Sequence, residues 1–246
     1  MKKKLSLMLT AFLLAGSLSA CSDEGNTFET KTYTPEGVAV NGIDIQVTDR
    51  EIVVIPSGDE QFHIEYSESA KEFYDISISD SGILTMIYES DKTWTDYIGG
   101  SKSAGADQIT IQIPNVALSV LALCTTKEDI SLPTLTVTDQ LALSTNGGNI
   151  SFENISAANS IALENKNGYI TGTIIGSYDD YAITCSIKKG ESNLPDEKGS
   201  GNKTLTAINN NGDIDIEFII TWAHLRDSHE TCTSPGQRQA GAHGTH

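Results

Sequence analysis

The amino-acid sequence predicts an all-β protein, a single-domain β-solenoid of β-helix type with coils of about 20 residues, preceded by antiparallel or irregular strands. Three observations predict it. Leu121-Ala122-Leu123, Leu141-Ala142-Leu143 and Ile161-Ala162-Leu163 recur with a step of 20 residues, and each start is followed nine residues later by Ile130, Ile150 or Ile170. The apolar residues are largely β-branched or Leu in short alternating runs, which suits strands rather than helices. Gly and Asn gather at one place in successive repeats, where a chain changing direction needs them. A repeat of this length cannot bury its apolar face alone, so its neighbours must stack on it.

The elements follow in order along the chain. Lys2, Lys3 and Lys4 precede an apolar run from Leu5 to Gly16, and Leu18-Ser19-Ala20-Cys21 comes next. This reads as an export signal over residues 1–20, too short to remain as a membrane-crossing helix. Its last four residues resemble the lipobox of bacterial lipoproteins, and that resemblance implies acylation of Cys21 and attachment to the membrane through lipid. The expected location is the bacterial cell envelope. Removing residues 1–20 takes away three lysines and deepens the formal charge from -17 to -20. Each buried acyl methylene contributes roughly 0.8 kcal/mol, so several chains would hold even so acidic a protein at a membrane. Residues 21–35 begin small and polar and are expected to form a flexible tether.

A strand domain is expected over residues 36–222. Its first strands alternate with period two, in runs around Val38–Val47, Ile52–Ile55, Phe62–Tyr66, Ile76–Ile78 and Ile83–Tyr88. Pro56-Ser57-Gly58-Asp59 and Asp80-Ser81-Gly82 supply turns between them. Asp91 to Ala106 has no period and reads as a loop, and Ile109, Ile111 and Ile113 form the strand after it. In the repeats, even spacing sends Leu141 and Leu143 to one face and Ala142 and Ser144 to the other. Stacking at about 4.8 Å then places Leu121, Leu141 and Ile161 in one column of a parallel sheet. Asn146-Gly147-Gly148-Asn149, Lys166-Asn167-Gly168-Tyr169 and Asn210-Asn211-Gly212-Asp213 are the corners, and the first coil has Lys127-Glu128-Asp129 in their place. A polar insertion between Ile187 and Lys203 separates the fourth coil from the last, which is marked by Leu205, Ile214, Ile216 and Ile219. It reads either as a tolerated surface loop or as a place where a solenoid recruits partners.

With these features in place, the chain resembles the DUF4097 family of adhesin-type β-strand-repeat proteins, often bacterial lipoproteins. The alternating N-terminal strands carry the resemblance, with the repeated corners, Tyr181-Ala182-Ile183 before a Gly-Ser-Gly insert, and the closing Asn-Gly-Asp-Ile-Asp-Ile at 211–216. It covers roughly residues 38–220 and implies a β-solenoid-like fold in a cell-envelope setting, with no catalytic residue to carry over.

The tail, 223–246, breaks with everything before it, holding four of the five histidines and no strand alternation. It is expected to be disordered, and its composition points to a different origin, such as a shifted reading frame. His224, His229 and Cys232 lack the tight spacing of a zinc site, so no metal is expected there. Cys124 and Cys185 fall on opposite faces in the repeat register, so no disulfide is expected between them.

Two functional classes stay open. The first is a non-catalytic envelope lipoprotein acting in surface adhesion or in contacts with other envelope proteins. The second is a carbohydrate-binding or carbohydrate-active β-helix, which would show at least three carboxylates with a Lys or Arg in a groove on one wall. The charge argues against nucleic acid, whose phosphates need a clustered basic face. No nucleotide-binding or hydrolase motif is present, and no cofactor is expected. Trp94 and Tyr97 form either an interaction surface for a protein or glycan or a cap on the open end of the solenoid.

Overall fold

The structure is a computed structural model that describes residues 27–97 and 106–220. The expected signal peptide, Cys21 and the tail lie outside the described residues. In chain order the strands are β1 (Glu29–Tyr33), β2 (Gly42–Gln46), β3 (Glu51–Pro56), β4 (His63–Glu68), β5 (Glu72–Ile78) and β6 (Ile83–Ser90). They continue with β7 (Gln108–Ile113), β8 (Leu118–Cys124), β9 (Ile130–Leu132), β10 (Leu135–Thr145), β11 (Ile150–Ala157) and β12 (Ser160–Asn167). The last are β13 (Ile170–Ile175), β14 (Tyr181–Lys189), β15 (Glu197–Lys198), β16 (Lys203–Asn211) and β17 (Ile214–Ile219). Two short 3-10 turns, Trp94–Tyr97 and Tyr178–Asp180, complete the described residues, which contain no α-helix.

The strands form two parallel ladders. The first runs β6-β2-β8-β10-β12-β16-β14. The second runs β7-β3-β9-β11-β13-β17. In the first, Leu84, Ile43, Leu121, Leu141, Ile161, Leu205 and Ile183 stand in register, none more than 1% exposed. In the second, Ile109, Ile52, Ile130, Ile150, Ile170 and Ile214 do the same. Burying each such side chain contributes about 1.5–3 kcal/mol, and both columns belong to one apolar core. Ala142 and Ser144 face outward, as the alternation requires. Cys124 is partly exposed, Cys185 is buried, and both are free thiols on opposite faces.

Three expectations are corrected. The tether expected over 21–35 is not flexible throughout, because 29–33 form β1, paired antiparallel to β4 from Glu29↔Glu68 to Tyr33↔Ile64. The N-terminal strands are not a separate antiparallel prelude, since β2, β3, β6 and β7 are rungs of the same two ladders and only β4 and β5 run against them, with β1 pairing antiparallel to β4. Alternation reads the same in either direction of pairing, and β4 and β5 interrupt the period. Finally, the coils do not stack in chain order. The coil β16–β17 lies directly on β12–β13, and β14 lies outside it. Apart from a single bridge at Ser192↔Ile214, β14 has no strand in the second ladder. A coil with one wall can only stand at an end without leaving a gap in the other ladder.

The corners are held from inside. Thr125, Thr145, Asn165 and Asn209 are fully buried, and each donates to a main-chain carbonyl at the corner of the preceding rung. Thr125 Oγ1 reaches Arg50 O at 2.7 Å, Thr145 Oγ1 reaches Glu128 O at 3.0 Å, and the Nδ2 atoms of Asn165 and Asn209 reach Gly148 O and Gly168 O at 2.8 Å each. The same rungs are tied along the outside at a separation of 20 residues by Asn159 to Asp139, Ser156 to Thr136 and Asn154 to Thr134.

At Gly168 and Gly212 φ is 139° and 119°, and an added Cβ would lie 2.2 Å from Gly148 O and 2.1 Å from Gly168 O. Gly212→Ala should therefore lower stability by about 2–4 kcal/mol in urea unfolding. Gly199→Ala, where nothing lies within 4 Å, should stay within about 0.5 kcal/mol. Asn165→Ala should cost about 1–3 kcal/mol by leaving the Gly148 carbonyl buried and unpaired.

Candidate functional site

The first residue singled out by the sequence, Cys21, lies outside the described residues. Trp94 begins the short turn Trp94–Tyr97 and is 75% exposed, so it does not cap the core. The turn is tied down by Asp96, which accepts from the Thr93 amide at 2.8 Å and pairs with Lys71. The Lys71 ammonium and the Thr93 hydrogen bonds push the Asp96 carboxyl down to about 2. Tyr97 belongs to the same turn, and its side chain is outside the described set.

Closure of this end falls to other aromatic residues. Tyr33, Phe62, Tyr66, Tyr74 and Tyr88 pack against the core from β1, the residue before β4, β4, β5 and β6. Tyr66 and Tyr74 meet edge to face at 5.2 Å, and Tyr74 and Tyr88 at 6.0 Å. The opposite end is closed by the segment after β14. Leu194 is buried in the core, β15 pairs antiparallel with β14, and Lys198 Nζ donates to Tyr181 O at 2.7 Å. The polar insertion is thus packed as an end cap rather than a loose loop.

Beside the first cap lies the most concentrated group of charges that sequence reading missed. Arg50, at the corner between β2 and β3, is 1% exposed, and its NH2 atom donates to Glu72 Oε2 at 2.7 Å. Its Nε donates to the Tyr74 hydroxyl at 2.9 Å and its NH1 to the Asp49 carbonyl at 3.0 Å. The Phe28 and Tyr88 rings lie 5.7 and 5.6 Å from the guanidinium carbon. Glu72 also accepts from Tyr88 Oη at 3.0 Å and pairs with Lys92. Burial would raise the Glu72 carboxyl, but hydrogen bonds from Lys92, Arg50 and Tyr88 outweigh it and hold it below the usual carboxylate range. Burial pushes Tyr88 up to about 12. A cleft of about 420 Å³ opens over this group, lined by residues including Asp49, Glu72, Lys92 and Lys127. Its two carboxylates are both engaged by cations, since Lys127 Nζ lies 2.6 Å from Asp49 Oδ2. A shallower trough of about 350 Å³ crosses the outer face of the first ladder over Ala122, Ala142 and Ala162, with Asp44 and Glu164 among its lining residues. No group of three or more His, Cys, Asp or Glu suited to a metal occurs among the described residues. The only sequence hint of the Arg50 group was an arginine between two strand runs in a chain with three arginines.

The fold and its surface define an all-β repeat protein built from parallel ladders with both ends closed. Residues 40–160 match the family model described as Toastrack DUF4097. Among solved structures, it is similar to a "putative cell adhesion protein" from Clostridium sporogenes ATCC 15579, at 12% identity and a TM-score of 0.47, covering 78% of this chain and 99% of that one. It is also similar to a "putative adhesin" from Bacteroides fragilis NCTC 9343, at 15% identity and a TM-score of 0.33, covering 80% and 99%. No curated protein matches the chain.

The charge group yields a prediction with a sign. A carboxyl held low in the folded state stabilises it above its ordinary value of about 4.3, and that contribution disappears as pH falls through the lowered folded value. Glu72→Gln should thus flatten the acid limb of a stability-versus-pH curve. At pH 7 it should cost about 3–5 kcal/mol, because Arg50 is left buried without its counter-charge. Replacing Arg50 and Glu72 together by Met should cost less than the single change, and urea unfolding at several pH values reads both effects.

Proposed function

We propose that this protein is a non-catalytic lipoprotein of the cell envelope, anchored through Cys21, whose β-solenoid acts in surface adhesion or in contacts with other envelope proteins. One observation carries this reading. The positions that recur with the repeat are consumed by the fold itself, as apolar columns, corner glycines and the buried Thr and Asn that satisfy corner carbonyls. The repeat therefore builds a rigid body with extended walls rather than a constellation of reactive groups. The lipobox-like Leu18-Ser19-Ala20-Cys21 supports attachment of that body to a membrane. No helix among the described residues is long and apolar enough to cross one.

A second reading, carbohydrate binding, is favoured by one feature, the exposed Trp94 two residues beyond Lys92 at the charged cleft. Aromatic rings beside polar side chains are the usual platform for a sugar or a peptide.

In cells making the full chain, Cys21→Ser should move the protein from the membrane fraction to the soluble fraction. Recovery of the native chain in the soluble fraction would remove the anchor from this account. In parallel, cross-linking from native envelopes should capture envelope proteins, with Trp94→Ala leaving that capture unchanged. A glycan screen that scores with the native chain and fails with Trp94→Ala would favour the second reading instead.

A further inference from the structure

The place where the chain enters the fold restricts which end of the stack can face a membrane. β1 is the outermost strand on its side, and the order across the second ladder is β1-β4-β7-β3-β9-β11-β13-β17. At about 4.8 Å per strand, β17 stands roughly 34 Å from β1. β1 is fixed in place by five register pairs with β4, by Lys31 Nζ at 2.5 Å from Glu68 Oε1, and by Phe28 packed over the Arg50 guanidinium. From Cys21 to Phe28 there are seven chain steps, which reach at most about 25 Å even when fully extended. An anchor at Cys21 therefore reaches the Arg50 end of the stack and falls short of the other.

Charge then selects between standing and lying. With residues 1–20 removed the formal charge is -20, and a bilayer bearing anionic lipids repels a body so acidic along its length. We infer that the molecule stands upright on the membrane, with the cap of β1, β4 and β5 facing the bilayer and the end closed by β15 and residues 190–202 facing away. The inference rests on the anchor reading given above. It assigns the surface presented to partners to the outward end and the upper walls, where Tyr178 and Ile220 are exposed. Trp94 and the Lys92 cleft then lie on the membrane side.

The test uses the full chain, processed in cells and reconstituted into phosphatidylcholine vesicles containing phosphatidylglycerol. A fluorescent amino acid is placed at Glu29 or at Gly199, both on open surface, and energy transfer is read to an acceptor on the lipid headgroups. Transfer from position 29 should exceed that from position 199 at least about twofold, given the separation of the two ends. Equal or inverted transfer from protein that stays with the vesicles overturns the upright orientation alone. Protein that washes off the vesicles at alkaline pH overturns the anchor, and the orientation with it.

Discussion

The structure depends on a problem that each corner of the chain creates. Where one ladder gives way to the other, a main-chain carbonyl points into the stack, out of reach of water. A buried carbonyl without a donor costs about 1–3 kcal/mol, and the cost recurs at every rung. Thr125, Thr145, Asn165 and Asn209 solve it by reaching back one rung, which also locks each coil to its neighbour in a single register. The corners can approach so closely only because Gly168 and Gly212 carry no side chain. Apolar columns alone would permit coils to slip by two residues; the polar column does not.

Much of this fold was legible in the sequence, and the parts that were not share a cause. The 20-residue step revealed the Leu141 and Ile150 columns and the Asn-Gly corners, because each rung meets the same environment and selects the same residue type. The inward polar column was visible in principle, as Thr125, Thr145 and Asn165 keep the same step, but polar residues beside a corner read as solvated turn residues. Spatial order was not legible. Nothing local in Leu205 says that it lies between Ile161 and Ile183 rather than beyond Ile183, since all three fit one apolar column. Nor could the Arg50 group be found, because its members are gathered from the β2–β3 corner, β5, β6 and the segment before β1, and pairing between distant segments leaves no periodic trace. Trp94 shows the converse, a residue that composition singled out and the fold left outside its core.

The two ends of the stack are closed by different means. At the β1 end the cap is aromatic and ionic, with a buried arginine whose charge is answered by Glu72 and by ring faces. At the β15 end it is a folded-back insertion that buries Leu194 and sets Lys198 over the Tyr178 ring at 5.0 Å. Both cover the apolar interior where the stack of coils ends.

The placement of β16 and β17 has a consequence for how the molecule comes into being. Although it follows β14 in the chain, β16 occupies an inner rung, between β12 on one side and β14 on the other, while β17 ends the second ladder beside β13. Of the strands made before β16, β14 cannot take its place in the order of synthesis, since the strand it must flank arrives only with residues 203–211. A chain emerging from a ribosome therefore leaves this end of the stack open until residues 203–211 arrive.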